Sequence, residues 1–102
     1  MGMDVYLQDE LGEEIERVLD DTNAIQRIIQ RSEEEGFQYL CDIDWYGNTV
    51  FNVIQSRKVL REWSKLSGRL ETAEERRVFE QVRAVLEQVC EQHHLYIKFE
   101  GD

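Results

Sequence analysis

The sequence predicts an α+β fold: a small, mostly antiparallel sheet with about three helices packed on one face. Three observations carry this expectation. Alternating apolar residues open and close the chain, segments with an apolar recurrence of three and four residues lie between them, and no internal repeat or linker divides the 102 residues. A single domain spanning 1–102 follows.

The opening `MDVYLQ` places Met3, Val5 and Leu7 on one side of an extended strand. `DELG` at 9–12 reads as a turn. The `EEIERVLD` that follows, residues 13–20, suits a returning strand, although Ile15, Val18 and Leu19 also fit a helical face, and the turn favours the hairpin. In `TNAIQRIIQRSEEEG`, Ile25, Ile28 and Ile29 share a helical face, with Asn23 and Gln26 as a capping pair and Gly36 as the stop. `FQYLCDI`, residues 37–43, sets Phe37, Tyr39, Cys41 and Ile43 against Gln38, Leu40 and Asp42, and is expected as a central strand.

A second helix is expected from Asn52 to Leu66, with Asn52 as its cap, Gln55 reaching back and Gly68 as the stop. Thr72 and Glu75 form a capping box for the third, whose buried stripe is Val78, Phe79, Val82, Val85, Leu86, Val89 and Cys90. `LYIKF` then returns to the sheet with Leu95, Ile97 and Phe99 inward. Trp63 and Phe79 are the bulky residues expected to fill the space between the helices and the sheet.

Composition, 41% apolar and 33% charged, is that of a soluble domain. There is no membrane-length apolar run and no secretory start, and Tyr6 stands where a myristoylation signal has Ser or Thr, so a cytoplasmic location without membrane attachment is expected. Cys41 and Cys90 read as reduced core thiols.

The net charge of -10 is unevenly distributed: residues 1–44 hold 13 Asp and Glu against 3 Lys and Arg, whereas residues 45–102 hold 9 of each. An acidic half of this kind repels nucleic acid and steers basic partners toward itself. Against it stands a basic stripe of Arg57, Lys58, Arg61, Lys65 and Arg69, offset only by Glu62, on the outer side of the second helix.

Polar chemistry concentrates in `CDIDWYGNTVFN`, residues 41–52. Asp44 and Asn48 are suited to bonding turn amides, with Gly47 at a positive φ. A helical wheel puts Asn52, Gln55 and Ser56 on the same inward face as Val59 and Trp63, so Asn48, Asn52 and Gln55 are expected to form a structural polar cluster that ties down the corner. Trp45 and Tyr46 are candidate anchors for a partner, Trp45 partly exposed and Tyr46 packed with its hydroxyl near Asn52 or Gln55.

Asp42 and Asp44 form a D-x-D pair, and Cys90, His93 and His94 have helical spacing that could converge with Cys41, but neither set is a complete metal site. There is no Gly-rich phosphate loop or nucleophile elbow, and no catalytic residue, metal or cofactor is assigned.

The string `DWYGNTVFNVIQ`, followed by a long amphipathic helix and the closing `HLYIKFEGD`, resembles a group of small bacterial proteins of uncharacterised function. These carry an Asp-x-Tyr-Gly-x-Thr-x-Phe-Asn-x-x-Gln segment and a C-terminal strand ending in Gly-Asp. The likeness covers Asp44 to Asp102 and implies no activity; Trp45 stands where the group's pattern has proline.

The function expected is a non-enzymatic protein-interaction domain, of the inhibitor or immunity type by analogy of size and charge. Its acidic half, through Asp9, Glu10, Glu13 and Glu14, would steer toward a basic protein partner, and Asp44, Trp45 and Tyr46 would make the lasting contact. The alternatives are a regulatory or nucleic-acid-associated module using the basic helix, residues 57–69, and an enzyme centred on Asp42 and Asp44. Oligomeric state is left open.

Overall fold

The computed structural model describes residues 2–101. Four strands, β1 Asp4–Gln8, β2 Glu14–Val18, β3 Asn48–Phe51 and β4 Tyr96–Glu100, form an antiparallel sheet of order β2-β1-β4-β3. The strands nearest the two ends of the sequence therefore lie side by side at its centre, with Asp4 opposite Glu100 and Gln8 opposite Tyr96. Helices α2, Val53–Ser64, and α3, Ala73–Glu91, lie across one face, and α1, Ala24–Ser32, packs alongside α3. This is the α+β architecture that the sequence pattern predicts.

Alternation decides which side of each central strand is buried. Met3, Val5, Leu7, Ile97 and Phe99 are fully buried beneath the helices. On the opposite face Lys98 lies over the Tyr6 ring at 4.7 Å, so a lysine stem covers an aromatic that the helices do not reach. Within residues 13–20 the strand Glu14–Val18 forms because the turn before it closes: Asp9 Oδ1 accepts from Leu11 N and Glu13 N, and Gly12 takes φ 82°.

The α3 stripe is buried from Val78 to Val89, and Trp63 stacks on Phe79 with ring centroids 5.4 Å apart. Cys90, expected in that stripe, is only half-buried, at the helix's last turn. Thr72 accepts from Glu75 N as a cap should, but the Glu75 carboxylate does not complete the box. It accepts instead from Glu71 N at 3.0 Å and from Arg27 and Arg31 of α1. With 1% of its side chain exposed, Glu75 is a buried ionic link between α1 and α3, and the Arg31 guanidinium holds its carboxyl down at about 2.

The segment 37–43 is not a strand. It is an irregular loop ending in a short 3-10 turn, Leu40–Asp42, and the third strand comes after it. Glu62 of α2 accepts from the backbone N–H groups of Gln38, Tyr39 and Leu40, so these donors are satisfied without a ladder. Burial then falls on Leu40 and Ile43, three apart, and Cys41, expected in the core, is exposed.

Asn23, expected to cap α1 with Gln26, has φ 60° and makes no side-chain cap. Asp20 does that work, accepting from Ile25 N, Gln26 N and Met3 N, which fastens α1 to the start of β1. Gly36 ends the α1 region in the left-handed conformation as expected, whereas α2 continues past Ser64 into a 3-10 turn, Lys65–Arg69, and Gly68 is not left-handed.

A candidate protein-binding corner

The turn at residues 44–47 joins the irregular loop to β3, and its backbone is fixed from several sides. Asp44 N donates to Thr49 Oγ1 at 2.9 Å, Tyr46 N donates to Asp44 Oδ1 at 2.9 Å, and Gly101 N donates to Gly47 O at 2.8 Å. Both glycines are needed for close approach. A Cβ on Gly101 would lie 2.2 Å from Trp45 O, and one on Gly47 would lie 2.7 Å from Asp44 Oδ2. The positive φ expected at Gly47 is absent.

From this turn the two aromatics diverge. Trp45 packs part of its ring against the core, as expected, but Tyr46 is 76% exposed and does not pack toward Asn52 or Gln55. The structural polar cluster contracts to a pair: Asn52 N donates to Gln55 Oε1 at 3.0 Å and Gln55 N to Asn52 Oδ1 at 2.9 Å, a complete capping box. Asn48 instead opens β3 opposite Glu100. Of the three polar residues expected inward on α2 only Ser56 is fully buried. The first turn of the helix sits at the edge strand, which leaves Asn52 in solvent.

Facing the corner is a stripe of α1 and the turn after it: Gln26, Gln30 and Glu33, at positions i, i+4 and i+7. With Gly2, Trp45 and Tyr46 they line a cleft of about 380 Å³. None of the three was assigned from sequence. Their spacing was legible, but what they face depends on the corner, more than ten residues further along the chain.

The acidic residues assigned to partner binding do not join this site. Glu10, Glu13 and Glu14 lie at the β1–β2 turn, beyond Gln8, whereas the corner lies at the Asp4 end of the same strand, roughly 13 Å of β-rise away. All three are exposed, and Glu10 Oε2 lies 3.8 Å from His94 Nδ1. Asp44 accepts from Tyr46 N and so holds the backbone of the corner at Tyr46.

A second cleft, of about 460 Å³, lies between the 36–39 loop and α2. Lys58 and Lys65 sit over the rings of Tyr39 and Phe37 at 5.7 and 6.0 Å. Arg57, Lys58, Arg61 and Lys65 form no salt bridge among the described residues, since the Glu62 carboxylate is taken up by loop amides; Arg69 differs, paired with Glu34 and Glu35.

Asp42 is exposed beside Cys41, with Oδ1 3.8 Å from Sγ, and neither Asp42 nor Asp44 lines either cleft. Among the described residues no three His, Cys, Asp or Glu side chains are grouped to hold a metal ion. The Cys90 thiol is pushed up by burial, and that of Cys41 by desolvation and by the carboxylates of Asp42 and Glu62. Among the described residues no helix is long and apolar enough to cross a membrane. Comparison with protein-family models, curated proteins and solved structures gives no match.

Proposed function

We propose that the chain is a non-enzymatic protein-interaction domain, of the inhibitor or immunity type, that engages a basic surface of a partner protein through the 44–47 corner and the facing stripe of α1. One observation carries the reading. In the segment from Asp44 to Gln55, Asp44, Gly47 and Thr49 fix the turn, Phe51 is buried, and Asn52 with Gln55 caps α2. Val50 and Ile54 are exposed as well, but Tyr46 is the ring of this segment left largely in solvent, on a turn pinned by hydrogen bonds. A rigid exposed aromatic is the kind of group that supplies most of the energy at a protein interface. The chain's net charge of -10 favours a basic partner, with Glu33 the carboxylate at the cleft itself.

This segment is also the one that resembles the small bacterial proteins described above. We keep that kinship as a proposal; the Asp102 that ends its pattern lies outside the described residues.

The test is affinity capture with the tagged full chain, followed by titration of any purified partner. Tyr46→Ala is expected to weaken binding by about 2 kcal/mol or more, and salt is expected to slow association. A partner held equally by the Tyr46→Ala protein, or bound at a salt-independent rate, overturns the reading.

Arg57, Lys58 and Arg61 of α2 and Lys65 just beyond it, which lack a carboxylate partner among the described residues, favour a second reading, in which that face binds an anionic partner such as nucleic acid. Binding to duplex DNA is expected to be weak at physiological salt because the whole chain is strongly acidic. Micromolar binding that is lost in the Arg61→Glu, Lys65→Glu double variant would make this reading the principal one.

A further inference from the structure

The cleft between α1 and the corner has a chemistry more specific than its position. Its lining is an indole, a phenol ring, two carboxamides and one carboxylate, with the backbone of Gly2 at one end. No cation lines it. Gln26 Oε1 is buried and has no hydrogen-bond donor among the described residues. The Gly2 backbone runs close to Asp20, where a Cβ would lie 2.8 Å from Asp20 O, and Asp20 in turn accepts from the Gln26 backbone N–H through Oδ2 at 3.0 Å. That wall is thus held in place by a carboxylate the sequence reading did not assign.

The lining is complementary to a group that is planar, positively charged and rich in N–H donors. An anion would meet the Glu33 carboxylate in a strongly acidic protein, and a purely apolar group would leave that carboxylate without a counter-charge. An ammonium matches the charge but presents no flat face to the rings. A guanidinium matches all of it: it stacks on an aromatic ring, forms paired N–H bonds to a carboxylate, and keeps further donors for an amide oxygen.

We propose that this cleft is an arginine pocket: it receives the guanidinium of an arginine on the partner, against Trp45 and Tyr46, with Glu33 as counter-ion and the Gln30 carboxamide oxygen as an acceptor. The inference rests on the interaction reading above and adds the identity of the partner group.

The test uses the full ¹⁵N-labelled chain and four short peptides, Ac-Gly-X-Gly-NH₂, with X as arginine, lysine, citrulline or glutamate. The arginine peptide is expected to shift the Trp45 indole N–H signal and the Gln26 and Gln30 side-chain amides, with a Kd of roughly millimolar order. The Trp63 indole, which donates to Phe79 O inside the core, stays in place and reports that the fold is intact. Citrulline keeps the shape of arginine without its charge and is expected to bind about tenfold more weakly, as is arginine to the Glu33→Gln protein. Absence of these shifts at roughly 50 mM arginine peptide, or equal binding of citrulline, overturns the pocket.

Failure of the pocket and failure of the interaction reading are distinguishable. If a captured partner depends on Tyr46 while the arginine peptide is silent, the pocket is wrong and the interaction reading stands. If the arginine peptide binds while every captured partner ignores Tyr46→Ala, the cleft binds a guanidinium but the interaction reading fails, and with it the claim that this group comes from a partner.

Discussion

The molecule holds two pairs of aromatic residues with opposite fates. Trp63 and Phe79 stack almost parallel, at 12°, both fully buried, and the one polar atom of the indole is satisfied by Phe79 O at 3.1 Å. Trp45 and Tyr46 are adjacent in sequence and diverge, one against the core and the other in solvent. Residue type does not separate the pairs. Trp63 and Phe79 lie on helix faces that meet above a sheet, so their area leaves water on folding. Trp45 and Tyr46 lie on a turn whose backbone is pinned by hydrogen bonds and two close glycine contacts, so that the ring of Tyr46 need not be buried for the turn to hold.

The sharpest way to break this contrast is to truncate the buried pair. Trp63→Ala is expected to cost about 3 to 5 kcal/mol in urea unfolding, because it leaves a large cavity in the core and removes the indole hydrogen bond to Phe79 O. A loss under about 1 kcal/mol would mean that the stack is not a stabilising centre.

Next in size is the link that holds α1, and with it one wall of the cleft, against α3. Glu75→Gln is expected to cost about 3 kcal/mol by leaving Arg31 without its buried counter-charge. The pH dependence follows from the depressed carboxyl. Its ordinary value is 4.5 and in the fold it is about 2, so its stabilisation is complete above about pH 4.5 and is lost as pH falls toward 2. Unfolding midpoints measured from pH 6 to pH 2 should therefore fall less steeply for Glu75→Gln than for the parent chain; parallel curves would remove Glu75 from this role.

Gly101→Ala tests the pinned turn directly. Its methyl group would fall 2.2 Å from Trp45 O, so the turn must move, at an expected cost of about 2 kcal/mol and with a shifted Trp45 indole signal. An unchanged Trp45 signal would show that the corner is not held by this contact. The smallest effect is expected at Tyr46, where alanine should change stability by no more than about 0.5 kcal/mol because the ring is already in water. A large loss there would place Tyr46 with the buried pair and end the contrast.

How far the sequence could be read varies from element to element, and the variation has physical causes. β1, β4, α3 and the capping box of α2 were legible because their signals are local: side-chain alternation, a repeated apolar stripe, and an Asn and a Gln three residues apart. The 37–43 segment was misread because alternation records only where apolar side chains fall, whereas a strand also needs a neighbour for its amides. Glu62, more than twenty residues away, supplies acceptors for those amides, and the edge position goes instead to the four residues Asn48–Phe51, too short a run to announce themselves.

The site divides in the same way. The sequence by itself marked residues 44–46 as polar and aromatic beyond the needs of packing, and it determined the acidic balance of the chain. Only the tertiary structure decided that Glu10, Glu13 and Glu14 lie at the far end of β1 from that corner, that Tyr46 is exposed while Trp45 packs, and that Gln26, Gln30 and Glu33 complete the cleft. The reason is one of range. Charge, periodicity and caps are set within a few residues, whereas a cleft is made by two segments whose meeting depends on the Asp20 clamp, the Glu75 link and the Gly101 contact, each joining residues more than fifteen apart.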